Sequence, residues 1–170
     1  KYQFYLTLCA IVKNEGRYLQ EWIEYHKMLG VEKFFIYDNE STDNTLEVLQ
    51  PYIDDKLVEY CYFPGKKMQL KAYANCVRKH KRNTRYLGFL DIDEFIVPIE
   101  HKTIPDYLRS LGRFSGVQIN WLVYGSGGAK KRKKGLVMER FKDHSFADQK
   151  LNRHIKVILN PRLILRFFSA

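Results

Sequence analysis

Cysteine is scarce in this chain: Cys9, Cys61 and Cys76 are the only three in 170 residues. An odd count without Cys-x-x-Cys spacing argues against a disulfide framework and a zinc site. All three lie in or beside apolar segments and read as buried free thiols of a reducing compartment. Long hydrophobic runs are missing too. None approaches the roughly 20 apolar residues that span a bilayer. Lys1 to Val12 lacks the basic start and small-residue cleavage site of a signal peptide. Val12-Lys13-Asn14-Glu15-Gly16 does not fit a Gly-x-Gly-x-x-Gly turn, and no Walker A sequence occurs. Dinucleotide redox chemistry and P-loop NTPase activity are thereby disfavoured. Acidic residues are in deficit, 19 against 29 basic ones, for a net charge of +10. That balance favours anionic partners: nucleic acid, anionic lipid or phosphorylated small molecules.

What is present is a globular chain. Hydrophobic residues make up 45% and aromatics 15%, too many for a disordered one. The length suits one domain with a sizeable core, expected over residues 1–170. The chain begins without Met and stops inside the apolar run Leu163 to Phe168, which reads as truncation at the C-terminus. Much of the positive excess sits on Lys79, Lys81, Arg82 and Arg85, and in the run Lys130 to Lys134. Such a run is either a solvated loop or a point of peripheral contact with an anionic membrane. The aromatics are spread through core-like segments and not interleaved with it, so no nucleic-acid partner is expected.

The first half of the chain alternates. Tyr5–Val12 is apolar and rich in strand formers. In residues 17–29, Leu19, Trp22, Ile23, Tyr25, His26 and Leu29 recur at helical spacing, and Gly30 closes the helix. Lys33–Tyr37 is a strand ending at Asp38. Ser41, Thr42 or Asp43 caps a helix running to about Leu49, where Pro51 is expected to stop it. Leu57–Tyr62 is a third strand, Gln69–Arg82 a helix and Tyr86–Leu90 a fourth strand. This β-α-β-α-β-α-β order predicts an α/β fold with a mostly parallel central sheet flanked by helices. Later elements are a strand extension over Ile96–Ile99 with Pro98 at an edge, a helix over Thr103–Leu111 and a strand over Gly116–Tyr124. A long loop through the basic run follows, then a strand over Ile155–Leu159, with Leu163–Phe168 as a last candidate.

Parallel sheets bind ligands beyond the carboxyl ends of their strands. Lys13-Asn14-Glu15, Asp38 and Asp91-Ile92-Asp93-Glu94 all fall at such ends. Asp91 and Asp93, spaced i and i+2 on an extended chain, would share one face while Ile92 points the other way. Two such oxygen donors can hold Mg²⁺ or Mn²⁺ together with substrate phosphates. With no glycine-rich cradle, that metal would neutralise the diphosphate.

These residues carry a resemblance. Asp38-Asn39-Glu40-Ser41-Thr42-Asp43-Asn44-Thr45 is similar to the Asp-Asn-Gly-Ser-Thr-Asp-Asn-Thr turn of family-2 glycosyltransferases, with Glu40 replacing glycine. Asp91-Ile92-Asp93 looks like the DxD motif of GT-A glycosyltransferases. The wider series resembles glycosyltransferase family 92 (DUF23) across nearly the whole chain. It comprises Cys9 to Glu15, Glu21-Trp22-x-x-Tyr25-His26, Asp91-x-Asp93-Glu94-Phe95, Trp121-x-x-Tyr124-Gly125-x-x-Gly128, Glu139-Arg140-Phe141 and Lys156-x-Ile158-x-x-Pro161.

The resemblance implies a GT-A fold and a metal-dependent, inverting hexosyltransferase. It would move a sugar, galactose above all, from a UDP-sugar donor to a glycan or lipid-linked acceptor, as in polysaccharide biosynthesis. By motif, Lys13, Asn14, Glu15 and Asp38 would hold the nucleoside, and Asn75 would approach the diphosphate. Asp93 would coordinate Mn²⁺ or Mg²⁺. Asp91 would join it or face the ribose or a water of the metal. Glu139 is the candidate catalytic base, with Asp143 and Asp148 as rivals. Bland readings stand beside these: Asp38 as a turn cap, Asn75 as a surface helix residue, Glu15 as a helix-start acid, and Glu139 as a structural partner of Arg140. Trp121 is either core or an acceptor platform. A nucleotidyl- or phosphotransferase on a similar fold would use the same acids. The resemblance also leads one to expect a metal-binding histidine beyond Pro161, and none follows His154. The expected location is the cytoplasm, at the inner face of the membrane, or the Golgi lumen if the source is eukaryotic.

Overall fold

A computed structural model describes residues 1–128, 135–146 and 149–164. The basic run Lys130–Lys134, Asp148 and most of the stretch Leu163–Phe168 lie outside the described residues.

The first seven elements alternate as the pattern requires. They are β1 (Phe4–Val12), α1 (Gly16–Met28), β2 (Lys33–Asp38), α2 (Thr45–Asp54), β3 (Val58–Tyr62), α3 (Gln69–His80) and β4 (Thr84–Phe89). Strands β1 to β4 pair in parallel in the order 3-2-1-4. The chain first winds outward from β1 through β2 to β3, then returns to place β4 on the other side of β1. That reversal makes the gap between the carboxyl ends of β1 and β4 a topological switch point, where such sheets open a ligand crevice.

The strands are apolar on both faces because both are covered. Leu6, Leu8, Ala10 and Val12 of β1 pack with Leu19, Trp22 and Ile23 of α1 and Leu49 of α2. Cys9 points the other way and packs with Ala72, Cys76 and Val77 of α3. Period-two alternation along one strand thus feeds two helical layers. Gly88 in β4 is required by this packing: a Cβ there would lie 2.6 Å from the Leu8 side chain and 3.2 Å from Ile158.

The second half departs from the parallel pattern. After α4 (Ile104–Ser110) come β5 (Gly116–Asn120), β6 (Tyr124–Gly125), the short α5 (Val137–Arg140), β7 (Asp143–His144) and β8 (Ile155–Leu159). β8 inserts between β4 and β5, antiparallel to both, and completes a six-stranded sheet. β6 and β7 form a separate two-stranded ladder. The architecture is the α/β, GT-A type that the resemblance implied. No helix among the described residues is long and apolar enough to cross a membrane.

Four local expectations need correction. Pro51 does not stop α2; it sits inside the helix, which runs on to Asp54. Its exposed ring meets solvent, and Tyr52 and Ile53 pack against the core and hold the last turn. Ile96–Ile99 does not extend β4, because the chain turns at Asp91–Glu94 and Glu94 N–H donates to the Asp91 carbonyl at 3.2 Å. The strand over Gly116–Tyr124 ends at Asn120, and Tyr124 pairs instead with His144. Gly125 likewise belongs to that small ladder, opposite Asp143, and not to a loop.

Candidate functional site

The switch point gathers two loops. One is Lys13-Asn14-Glu15 after β1; the other is Asp91 to Phe95 after β4. Leu90 N–H donates to the Cys9 carbonyl at 3.2 Å, so β4 stops beside Cys9 while the neighbouring β1 runs on to Val12 and its loop.

Asn14 organises the first loop. It adopts a left-handed backbone, φ 59°, which asparagine tolerates better than most residues. Its side-chain oxygen accepts from Thr42 N–H at 2.7 Å and Asp43 N–H at 3.3 Å, and its own N–H donates to Ser41 Oγ at 2.9 Å. The loop after β1 is therefore clasped to the turn after β2. Asp43 closes the clasp from the other side. It accepts from Gly16 N–H at 3.0 Å and from the Thr45 N–H and hydroxyl at 3.0 and 2.6 Å, joining the starts of α1 and α2. Desolvation opposes its charge, but these bonds outweigh it and hold its carboxyl below the usual range. Gly16 lets the two helix starts approach, since a Cβ there would fall 2.9 Å from Thr45 N. Lys13 is exposed, with Glu40 Oε2 3.9 Å from its Nζ.

Asp38 ends β2 and is only 4% exposed. One oxygen accepts from Ser41 N–H at 2.9 Å and the other from the Tyr60 hydroxyl at 2.8 Å. Its carboxylate holds the turn in shape. Asn75 on α3 accepts from the Tyr37 hydroxyl at 3.0 Å and is half-buried. Tyr37 precedes Asp38 on β2, so the two side chains leave opposite faces of the sheet. Asp38 and Asn75 are therefore linked through β2 and not through one surface.

The second loop is a turn and not an extended strand end. Ile92 is buried and anchors it, Asp91 is half-exposed and Asp93 is exposed. Asp93 makes no hydrogen bond or ion pair among the described residues. Glu15 faces it across the switch point; desolvation and then the Asp93 charge raise the Glu15 carboxyl above its ordinary range. Asp91 is engaged. Its Oδ2 lies 2.7 Å from Lys156 Nζ and its Oδ1 accepts from Gln69 Nε2 at 3.3 Å. Lys156 also lies 2.9 Å from Glu94 Oε2, which itself accepts from the Asp91 N–H at 3.0 Å. Burial raises the Glu94 carboxyl in spite of these partners. For Lys156 burial acts downward, but the two carboxylates outweigh it and raise the ammonium.

Helix α1 straps this turn down. Trp22 Nε1 donates to the Glu94 carbonyl at 2.9 Å, and the Tyr25 hydroxyl donates to the Ile96 carbonyl at 3.0 Å. Ile96 N–H donates to His26 Nε2 at 3.3 Å, which leaves Nδ1–H to donate to the Trp22 carbonyl at 2.9 Å. The i, i+3, i+4 spacing puts all three side chains on one helical face. His26 is thus a buried neutral imidazole, pushed down to about 4 by desolvation.

Glu139 lies exposed on α5. That helix is held by Glu21 of α1, whose oxygens accept from Val137 N–H at 2.6 Å and Met138 N–H at 3.0 Å. Asp143 is exposed in the small ladder, beside Gly127. The Trp121 ring lies 5.7 Å from Lys156 Nζ, and its buried indole N–H has no partner among the described residues.

Local pattern did not single out Lys156, Glu21, Asn39 or Tyr60. Asn39 Nδ2 donates to the Phe63 and Gly65 carbonyls at 3.0 and 2.9 Å, fixing the loop after β3. Lys156 and Glu21 stand in the ordered motifs quoted above, but their partners are 65 and 116 residues away.

The residues present fit a divalent ion in a limited way. No group of three His, Cys, Asp or Glu among the described residues is arranged to hold a metal. Asp93 supplies a free hard oxygen donor, and Asp91 stands two residues before it in the same turn with both oxygens engaged. Mg²⁺ and Mn²⁺ sites often consist of one or two carboxylates plus substrate phosphates.

The chain is similar to several known proteins. Residues 4–168 match the sequence profile of glycosyltransferase family 92. A family 92 protein of Oryza sativa subsp. japonica is 31% identical over 167 residues, covering 94% of this chain and 28% of that protein. The beta-1,4-galactosyltransferase galt-1 of Caenorhabditis elegans is 27% identical over 116 residues, covering 58% of this chain and 27% of that protein. The chain thus spans less than a third of the length of these relatives. Among solved structures, 4-diphosphocytidyl-2C-methyl-D-erythritol synthase from Anaerococcus prevotii DSM 20548 superposes with a TM-score of 0.51 at 8% identity. The match covers 95% of this chain and 72% of that one, a likeness of fold alone.

Proposed function

The chain belongs to glycosyltransferase family 92, and on that premise we propose that it transfers a sugar, with inversion, from a UDP-sugar to a glycan or lipid-linked acceptor. The observation that carries this reading is the meeting of Lys13–Glu15 and Asp91–Asp93 at the switch point of a parallel sheet. Galactose is the proposed sugar, supported by the name of the Caenorhabditis elegans relative.

In this reading Lys13, Asn14, Glu15 and Asp38 form the nucleoside end of the pocket. Asp38 acts there mainly by shaping the turn, since both its oxygens are engaged. Asn75, held by the Tyr37 hydroxyl on the other face of β2, would approach the diphosphate, and Asp91 would face the ribose or a water of the metal. Mn²⁺ or Mg²⁺ would be held by Asp93, with Asp91 next to it, and would offset charge on the departing diphosphate. Glu139 takes the proton of the acceptor hydroxyl. The freed oxygen attacks the anomeric carbon from the side opposite UDP, the bond to UDP breaks, and the configuration inverts. The proposed location is the cytoplasm, at the inner face of a membrane, which the buried free thiols of Cys9 and Cys76 support, or the Golgi lumen if the source is eukaryotic.

Calorimetry with UDP and MnCl₂ tests the reading. We expect Mn²⁺-dependent UDP binding that Asp93→Ala abolishes. Absence of binding by the unaltered chain would overturn it. Release of pyrophosphate in place of UDP during turnover would point instead to a nucleotidyltransferase.

A further inference from the structure

Four carboxylates crowd the donor corner: Glu15, Asp91, Asp93 and Glu94. A corner with that charge repels a diphosphate and attracts cations without discrimination. Lys156 offsets one of these charges and ties up two of the acids directly. Its ammonium lies 2.7 Å from Asp91 and 2.9 Å from Glu94, in a side chain only 18% exposed. β8 carries it there: Val157 pairs with Phe89 at the end of β4, and Lys156 follows on toward the acid turn. The Trp121 ring lies 5.7 Å from the ammonium. Gln69 takes the other oxygen of Asp91. Asp93 alone of the turn's acids remains without a partner among the described residues.

We propose that Lys156 makes metal loading depend on the donor. By engaging Asp91 and Glu94 at once it occupies two of the turn's three acids and holds them from a free cation. A divalent ion then finds only Asp93, which is too few ligands to hold it well alone. The donor's diphosphate supplies the missing oxygens, so ion and donor bind together. Lys156 is a positioning residue in this scheme: it sets which acids are available and touches neither sugar nor acceptor. The inference rests on the donor-site reading above, and its test separates the two.

The test is Mn²⁺ titration of the full chain, with and without UDP, followed by electron paramagnetic resonance of the free ion. The unaltered chain should bind Mn²⁺ weakly alone and about tenfold more tightly with UDP, a coupling in the ordinary range. Lys156→Met should bind Mn²⁺ alone about tenfold more tightly, and UDP should add little further. Lys156→Arg keeps the charge and should behave as the unaltered chain. Lys156→Met combined with Asp91→Asn should lose the gain, because Asp91 is the ligand released while Glu94 stays bonded to the Asp91 N–H; a gain that survives would reduce the effect to long-range charge and overturn the proposal. A folded Lys156→Met with unchanged or weaker Mn²⁺ affinity would overturn it too. Should that variant not fold, Lys156→Gln carries the same readout with a polar side chain. Failure of UDP to bind at all would sink the donor-site reading, while the Mn²⁺-only titrations would still decide the role of Lys156.

Discussion

Trp22 and Glu94 are 72 residues apart in sequence, yet the indole N–H of one donates to the backbone carbonyl of the other at 2.9 Å. The bond runs to the main chain of the acid turn and so fixes where Asp93 stands without engaging any carboxylate. Trp22 is fully buried. Trp22→Phe should cost about 2 to 3 kcal/mol from the lost bond, the orphaned carbonyl and the smaller ring. Tyr25→Phe, which removes only the bond to Ile96, should cost about 1 kcal/mol. Urea denaturation measures both. Mn²⁺-dependent UDP binding should weaken in both variants, and unchanged binding would detach the strap from the site.

His26 predicts a pH dependence of stability. Its folded value, about 4, lies below its ordinary 6.5. The unfolded chain therefore binds the proton first as pH falls. The contribution of neutral His26 is complete above about pH 6.5 and is lost as pH falls toward 4. At pH 5 the loss is about 2 kcal/mol. Glu15 and Glu94, both raised, work in the opposite sense at the acid end. The clean measurement is therefore the difference between the unaltered chain and His26→Leu. Unfolding free energies from pH 7.5 to 5 should show that component vanish in the variant.

Glu40 occupies a left-handed conformation, φ 63°, at the position where the similar turn of family-2 enzymes has glycine. Its ion pair with Lys13 is long, at 3.9 Å, and roughly half-exposed on both sides, so it offsets little. Glu40→Gly should stabilise the chain by about 0.5 to 1 kcal/mol, the relief of backbone strain exceeding the added freedom of the unfolded chain. A denaturation midpoint that falls would show the glutamate to be engaged beyond its backbone.

Glu139 and Glu21 should separate chemistry from placement. Glu139→Gln should lower kcat at least 100-fold with UDP affinity unchanged, as loss of a general base does. Glu21→Ala should also lower kcat, because the Val137 and Met138 amides lose their acceptor and α5 loosens. Hydrogen exchange at those two amides tells the variants apart, rising only in Glu21→Ala. Normal turnover in Glu139→Gln would pass the role of base to another acid.

The first four strands and three helices were legible because each is written locally. Buried parallel strands show as apolar runs, and α1 shows as a stripe at helical spacing. The acids at the strand ends followed from the same logic. What local pattern did not carry was pairing at a distance. Nothing within ten residues of Lys156 announces Asp91, and nothing near Glu21 announces Val137. Ile155–Leu159 read as a strand, but its insertion antiparallel between β4 and β5 depends on partners far away in sequence. Asp91–Glu94 looks extended in the sequence because its apolar Ile92 alternates like a strand residue. Local Asp91–Glu94 bonds close the turn, Trp22 holds its Glu94 carbonyl, and Tyr25 and His26 hold Ile96 just beyond it. Pro51 misled for a related reason: its ring meets solvent, and the side chains after it carry the helix on.

The insertion of β8 also sets an order of events. During synthesis β1 to β4 and their helices emerge first, and every bond among them can form before residue 90 has been followed by much else. The outer edge of β4 must then wait for Ile155–Leu159. Throughout that wait Asp91 and Glu94 lack their ammonium partner, and an open strand edge is a place where chains associate wrongly. Closure by β8 seals the edge and delivers Lys156 in one step. The acid turn thus gains its ammonium only once β8 is in place, and a ribosome-bound product ending before residue 155 should expose β4 to other chains.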